Sequence, residues 1–354
     1  MKKIGVITIN DFNNYGNRLQ CYAVQRYLES MGYIVENIYN TYSCDGFILN
    51  SGKRLIRYLR DFQRRNIIAE RNQNFIEFNQ NIRFSKDRII NGQFDINLND
   101  RYDYFITGSD QVWNPYDSGR SEIDFLTFAS AEKRISFSAS MGVEKIPDQM
   151  RKKYRDYLEN YHRISVREET AKTIIEELTN RTDVEVLVDP TMLLTAKEWE
   201  QVSEKPDIPY HSRYILTYFL GGMGEKTDVI RSIAETYSCE IIDIYDVQSP
   251  FYTCGPQHFL ELEKNAFLIC TDSFHSAVFA FLFNRPFIVF DRENTKFNMS
   301  SRTETLLSKF GLQQSKYLAG RDVERYLTWD YTAGYETLEK EREKARRFLA
   351  NALS

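Results

Sequence analysis

The chain has 354 residues, more than the roughly 250 to 300 that a single hydrophobic core usually organises, so two domains are expected. A net charge of -4 gives no footing for a nucleic-acid partner, and five scattered cysteines without a Cys-x-x-Cys pair indicate neither a disulfide framework nor a zinc site. The longest uninterrupted apolar run, Ala277 to Phe283, falls far short of the roughly 18 residues of a membrane-spanning helix.

In chain order, Met1-Lys2-Lys3 and the apolar run Ile4 to Ile9 imitate a signal peptide, but the run is short and reads as a first strand. Asn13 to Asn17 is a turn. With one glycine it is neither a dinucleotide fingerprint nor a P-loop. Leu19 to Met31 carries an apolar helical face through Leu19, Tyr22, Ala23 and Tyr27, Gly32 caps it, and Ile34 to Ile38 is the next strand. Further strands are expected at Tyr104 to Thr107, Ile135 to Ser138, Ile164 to Val166 and Val184 to Val188, making a first α/β domain over 1–200. Thr195 to His211, with Pro206 and Pro209, reads as the linker. A second α/β domain over 201–354 has strands at Tyr214 to Phe219, Ile241 to Tyr245, Phe267 to Cys270 and Phe287 to Phe290. Helices near 225–237, 256–265 and 274–283 alternate with them, and a surface helix over Glu336 to Leu353 docks Leu338, Ala345 and Leu349.

Polar residues collect at strand ends, where open α/β sheets bind ligands. Thr271-Asp272-Ser273 ends a strand and caps the helix that carries His275 in its first turn. That histidine is either buried against a neighbouring strand or a working imidazole at the ligand edge. Ser109-Asp110-Gln111-Val112-Trp113 supplies a carboxylate, an amide and an indole, suited to a sugar, or else a capped turn with Trp113 in the core. Arg167 can fork onto a phosphate or carboxylate, or pair with Glu168 or Glu169, which suit the first turn of a helix.

Lys53 to Arg71 holds seven basic and two acidic residues, +5 in a chain of -4. With Leu55, Tyr58, Leu59 and Phe62 it reads as a helix on an anionic membrane surface, or as a solvated helix with a buried stripe. The other histidines, His162, His211 and His258, have no metal-ligand spacing, so no metal is expected.

The motifs NYGNRLQCYAVQRYLESMGY, YFITGSDQVWNP, ISFSASMG, SVREETA, VDPTMLL, TDSFHSAVFAFLFNRPFIVF and SSRTETLLSKFGL, in this order, resemble the polysaccharide pyruvyl transferase family over about residues 4–315. The resemblance implies two Rossmann-like domains facing across a cleft, as in the GT-B type. The first would bind an acceptor sugar and the second phosphoenolpyruvate, a co-substrate in an enzyme with no further cofactor. His275 aligns with the family's catalytic histidine and Arg167 with a donor-binding arginine. Where some branches carry a phosphate-gripping arginine this chain has Ser273, which makes Arg302 the replacement, aided by Ser273 and Ser276 at the helix start. Asp110 is expected to orient or deprotonate the acceptor, Trp113 to stack on it, and Asn14, Tyr15, Asn17 and Gln111 to bind it. The implied product is a cyclic ketal on a bacterial capsule or exopolysaccharide precursor, whether lipid-linked through a polyprenyl diphosphate, nucleotide-linked or free; the enzyme is expected in the cytoplasm, and the basic 53–71 segment would bring it to the inner membrane face. A GT-B glycosyltransferase using a nucleotide sugar, or a non-catalytic glycan-binding relative, are the alternatives.

Overall fold

The computed structural model describes residues 1–9, 14–41, 62–117, 119–292, 300–328 and 330–354. Short apolar runs fold into two all-parallel sheets with helices between strands. The first sheet is built from β1 (Lys3–Ile7), β2 (Ile34–Thr41), β3 (Phe84–Ile90), β4 (Tyr104–Thr107), β5 (Arg134–Ala139), β6 (Arg163–Val166) and β7 (Glu185–Val186), in the order β3-β2-β1-β4-β5-β6-β7. The second comprises β8 (Tyr214–Tyr218), β9 (Glu240–Asp243), β10 (Leu268–Thr271) and β11 (Phe287–Val289), in the order β11-β10-β8-β9. The strands expected from the sequence recur within a few residues of their expected ends. β3 was not foreseen.

The described helices are α1 (Tyr15–Ser30), α2 (Phe62–Phe78), α3 (Asp148–Leu158), α4 (Glu169–Thr179), α5 (Ala196–Glu200), α6 (Lys226–Tyr237), α7 (Pro256–Asn265), α8 (Phe274–Leu282), α9 (Ser300–Lys309), α10 (Glu324–Leu327) and α11 (Thr332–Ala352). α1 starts earlier than the apolar pattern implied, because the Asn14 side chain accepts from the Asn17 N–H and caps it. The expected linker is not all loop: Thr195 and Glu198 form a capping box that starts α5. α8 stops as its sequence predicts, with Asn284 in the left-handed region at φ 54°.

One continuous core joins the sheets, with Leu19, Tyr22 and Phe75 in the same apolar cluster as Trp199, Phe259 and Phe279. α11 buries Leu338, Ala345 and Leu349 as expected, but it also returns to the first sheet. Arg342 donates to the carbonyls of Met192 and Leu194, each at 2.8 Å, and Lys344 to that of Val186 at 2.8 Å. Among the described residues no helix is long and apolar enough to cross a membrane. Residues 53–61 of the basic 53–71 segment, with Leu55, Tyr58 and Leu59 of its apolar stripe, lie outside the described residues.

Candidate active site

The loops that leave the carboxyl ends of strands in both sheets meet in one cluster. Ser109 and Asp110 follow β4, Arg167 follows β6, Asp189 lies beyond β7, and His275 comes across from the first turn of α8, after β10. Asp110 has φ 71°, a left-handed conformation that costs a non-glycine residue about 1 to 2 kcal/mol. Its surroundings enforce it. The Asp110 carbonyl accepts from Ser140 N at 2.9 Å and Val112 N at 2.8 Å, and its Oδ1 accepts from Gln111 N at 2.8 Å.

The ISFSASMG segment supplies the scaffold underneath. Ser136 donates to the Ser165 carbonyl at 3.0 Å, Ser165 to the Ser136 carbonyl at 2.9 Å, and Ser138 to the Val188 carbonyl at 2.7 Å. These hydroxyls tie β5 and β6 to the segment ending at Asp189. The Ser140 hydroxyl then anchors the Glu168 carboxylate.

Arg167 is buried at the centre of this cluster. Its Nη1 is 2.6 Å from Asp189 Oδ2, Nη2 3.7 Å from Asp110 Oδ1 and Nε 3.6 Å from Glu168 Oε1, and its face covers the Phe274 ring at 4.6 Å. From α9, Arg302 places Nη1 3.7 Å from the same Asp110 oxygen. Burial would raise the Asp110 carboxyl, but Arg167, His275 and Arg302 around it hold it below its ordinary value. Asp189 behaves alike: burial opposes its charge, yet His275, Arg167 and the Ser109 hydroxyl keep it well below the usual carboxylate range. Burial, then the like charge of Arg167, pushes Arg302 down to about 10. This guanidinium is short of counter-charge.

Above the cluster opens a cavity of about 220 Å³. Asn14, Asn17, Asp110 and Gln111 line it from the first sheet's side, and Ser273, His275, Arg292 and Arg302 from the second's. Gln111 Nε2 is buried there without a hydrogen-bond partner. Ser273 caps α8 without a side-chain bond, so the helix start faces the cavity uncapped by its own residue.

Of the residues expected in the site, Asp110, His275, Arg302, Ser273, Asn14, Asn17 and Gln111 are brought together at this cavity. Arg167 lies a layer deeper, beneath it. Three others are turned away. Trp113 is fully buried, stacks on Phe125 at 5.4 Å and donates Nε1 to the Asp124 carbonyl at 3.1 Å, so it is a core residue and offers no face to a sugar. Tyr15 stacks on Phe259 at 4.6 Å, and its hydroxyl donates to the Cys254 carbonyl at 2.9 Å. Ser276 is fully buried and donates to Glu263 Oε1 at 2.5 Å, so its hydroxyl is spent inside the second sheet's helical layer. The reading from sequence assigned no site role to Asp189, Ser109 or Arg292, whereas Glu168 stood there as a partner for Arg167, and the 3.6 Å contact bears that pairing out. Asp189 stood in the quoted VDPTMLL motif, but an Asp-Pro after a strand reads as a turn cap, which it also is.

No cluster of three or more His, Cys, Asp or Glu side chains that could hold a metal ion occurs among the described residues. The pair of parallel sheets with a polar cavity between their loops makes this an α/β protein of the GT-B type. Two solved structures share that fold across almost their whole length. A UDP-GlcNAc 2-epimerase from Methanocaldococcus jannaschii aligns with a TM-score of 0.52 at 14% identity, over 98% of this chain and 99% of the other. A UDP-N-acetylglucosamine 2-epimerase from Rickettsia bellii aligns with a TM-score of 0.50 at 10% identity, over 100% of this chain and 97% of the other. A comparison with curated proteins gave no significant match. Residues 14–294 match the polysaccharide pyruvyl transferase family, and the chain belongs to that family.

Proposed function

We propose that this protein moves the pyruvyl group of phosphoenolpyruvate onto two hydroxyls of a sugar in a surface-polysaccharide precursor, forming a cyclic ketal and releasing phosphate. The observation that carries the reading is the meeting of His275, Asp110 and Arg302 at one cavity in a chain of this family. The first sheet's unit, 1–200, would hold the acceptor and the second, 201–354, the donor.

Phosphoenolpyruvate is an enol phosphate. Protonating its methylene carbon makes a methyl group and leaves a cationic centre at C2. His275 gives that proton. One sugar hydroxyl adds to C2 and loses its proton; phosphate then departs, and the second hydroxyl closes the ring. Of the two hydroxyl protons released, one leaves on the phosphate and the other restores the imidazolium. Asp110, held below its ordinary pKa between two arginines, is a weak base and serves to orient the acceptor. Arg302 is short of counter-charge, and with Arg292 and the start of α8 it suits a phosphate or carboxylate. Arg167 acts from beneath by fixing Asp110. Asn14, Asn17 and Gln111 offer amides to sugar hydroxyls, and Gln111 Nε2 has a hydrogen to give.

His275→Gln should cut ketal formation by at least about a hundredfold while leaving phosphoenolpyruvate binding in place. Ketal mass and phosphate release measure the first, and a thermal-shift titration the second. A shift with a UDP-sugar and none with phosphoenolpyruvate would favour a nucleotide-sugar transferase. Glycan binding without phosphate release would favour a non-catalytic relative.

In the basic 53–71 segment Arg71 is buried and takes no part, but residues 53–65 alone carry six basic residues against Asp61, a +5 stretch that supports a lipid-linked acceptor and a cytoplasmic enzyme at the inner membrane face. At about 1 kcal/mol per basic residue near an anionic bilayer, binding would be weak and salt-sensitive. Sedimentation with anionic vesicles should be lost in Arg57→Glu/Arg60→Glu/Arg64→Glu. A wild-type protein that ignores such vesicles at low salt removes this support.

A further inference from the structure

Asp189 has no part in the chemistry just described, yet it is buried directly behind His275. We propose that Asp189 is a positioning residue that accepts Nε2–H of His275 across the junction of the two sheets, leaving Nδ1 as the nitrogen that passes the proton to substrate. The proposal rests on His275 being the general acid.

Both carboxylate oxygens of Asp189 have definite tasks. Oδ1 accepts from Thr191 N at 3.0 Å and from the Thr191 hydroxyl at 2.7 Å. That fixes the plane of the carboxylate. Oδ2 accepts from the Ser109 hydroxyl at 2.7 Å and from Arg167 Nη1 at 2.6 Å, and it lies 3.5 Å from His275 Nε2. The Nε2 atom is buried and has no hydrogen bond, so Asp189 is the acceptor within reach of it among the described residues. A buried imidazole nitrogen without a partner is costly, and a small closure of the 3.5 Å gap removes the cost. At the opposite edge Nδ1 makes no hydrogen bond among the described residues, and the ring borders the cavity. That edge lies against Gly16 at the start of α1, where an added Cβ would fall 2.0 Å from Nδ1. A carboxylate that takes one ring N–H fixes the tautomer and gives the other nitrogen to proton traffic. Asp189 comes from the first sheet's unit and His275 from the second's. The acid is therefore set only when the two units are seated on each other.

The alternative is that Asp189 is merely the counter-ion of Arg167. Asp189→Asn separates the two roles. Because Oδ1 accepts a backbone N–H, the amide oxygen must take that place and the NH₂ must take the place of Oδ2. That NH₂ offers a hydrogen to Nε2, which has to become an acceptor, so the neutral ring is forced from Nε2–H to Nδ1–H. Long-range ¹H–¹⁵N spectra of histidine-labelled, ligand-free protein at alkaline pH read this directly, since the chain has only four histidines and His275→Gln assigns the signal. We expect Nε2–H in the wild type and Nδ1–H in Asp189→Asn, with kcat falling about a hundredfold or more and far beyond any change in KM for phosphoenolpyruvate. A wild-type ring found as Nδ1–H overturns the proposal even if the variant fails to fold. An unchanged tautomer in a folded Asp189→Asn also overturns it. If the tautomer switches as expected but the wild type never turns over phosphoenolpyruvate, the pairing stands and the pyruvyl-transfer reading falls.

Discussion

Gly16 stands where a methyl group would have to occupy the His275 ring. A Cβ there would come within 2.0 Å of Nδ1 and 2.4 Å of Cγ, and neither group can yield cheaply, since one is helix backbone and the other a ring fixed on a second helix. Helix propensity would favour alanine over glycine by about 1 kcal/mol, so the substitution is not intrinsically hostile to α1. The clash decides the outcome. Gly16→Ala should displace the imidazole and lower kcat by about tenfold or more, while the variant keeps its secondary structure. A fully active Gly16→Ala would mean that the ring is free to work from another position, against the tight placement described above.

Two helices of the second sheet's unit are joined by one polar contact, Glu263 on α7 with Ser276 on α8. Burial pushes the Glu263 carboxyl well above its ordinary value of 4.5, and the Ser276 hydroxyl opposes this only in part. A carboxyl whose folded pKa exceeds its unfolded one contributes stability that is complete below the unfolded value and is lost as pH rises toward the folded one. Glu263→Gln, always neutral, should therefore gain stability over the wild type as pH rises from 4.5, with the gap closing in acid. Denaturant unfolding across pH measures it, and parallel profiles for the two proteins would refute it. Much at this scale was legible in the sequence. The fourth strand, Tyr104–Thr107, matched its reading end to end, and α8 was announced by its apolar spacing and its Asn-Arg-Pro stop. β3 was not, because Lys86, Asp87 and Arg88 interrupt the apolar alternation of an edge strand that has a partner on one side only. Trp113, Tyr15 and Ser276 misled because type and spacing place a residue on an element without saying which face is buried. Asp189 escaped for another reason: its partner His275 lies 86 positions later, and nothing in local sequence couples them.

At the scale of the whole molecule, one side chain links the two sheets more closely than their lengths of chain would suggest. Arg71 leaves α2 and enters the loops of the second sheet, where Nη1 donates to the Ile244 carbonyl at 3.4 Å and to the Tyr252 carbonyl, and to the Tyr15 hydroxyl at 2.9 Å. The guanidinium is sandwiched between Tyr15 and Tyr252, at 4.7 Å from each ring. Nearby, Asn74 donates to the Thr253 carbonyl at 2.6 Å. Removing the arginine strands these acceptors in a buried place and loses the ring contacts, a cost of about 2 to 4 kcal/mol. Arg71→Leu keeps apolar bulk but none of the donors. If the chain divides near residue 200 as proposed, loosening this joint should let the halves unfold separately, so one calorimetric transition of the wild type should broaden or split in the variant. Activity should fall as well, because Tyr15 is followed by Gly16, and the first turn of α1 packs beside the Nδ1 edge of the imidazole. A single transition at the wild-type temperature, with undiminished turnover, would show that the continuous apolar core alone holds the cleft in register and that Arg71 adds nothing to it.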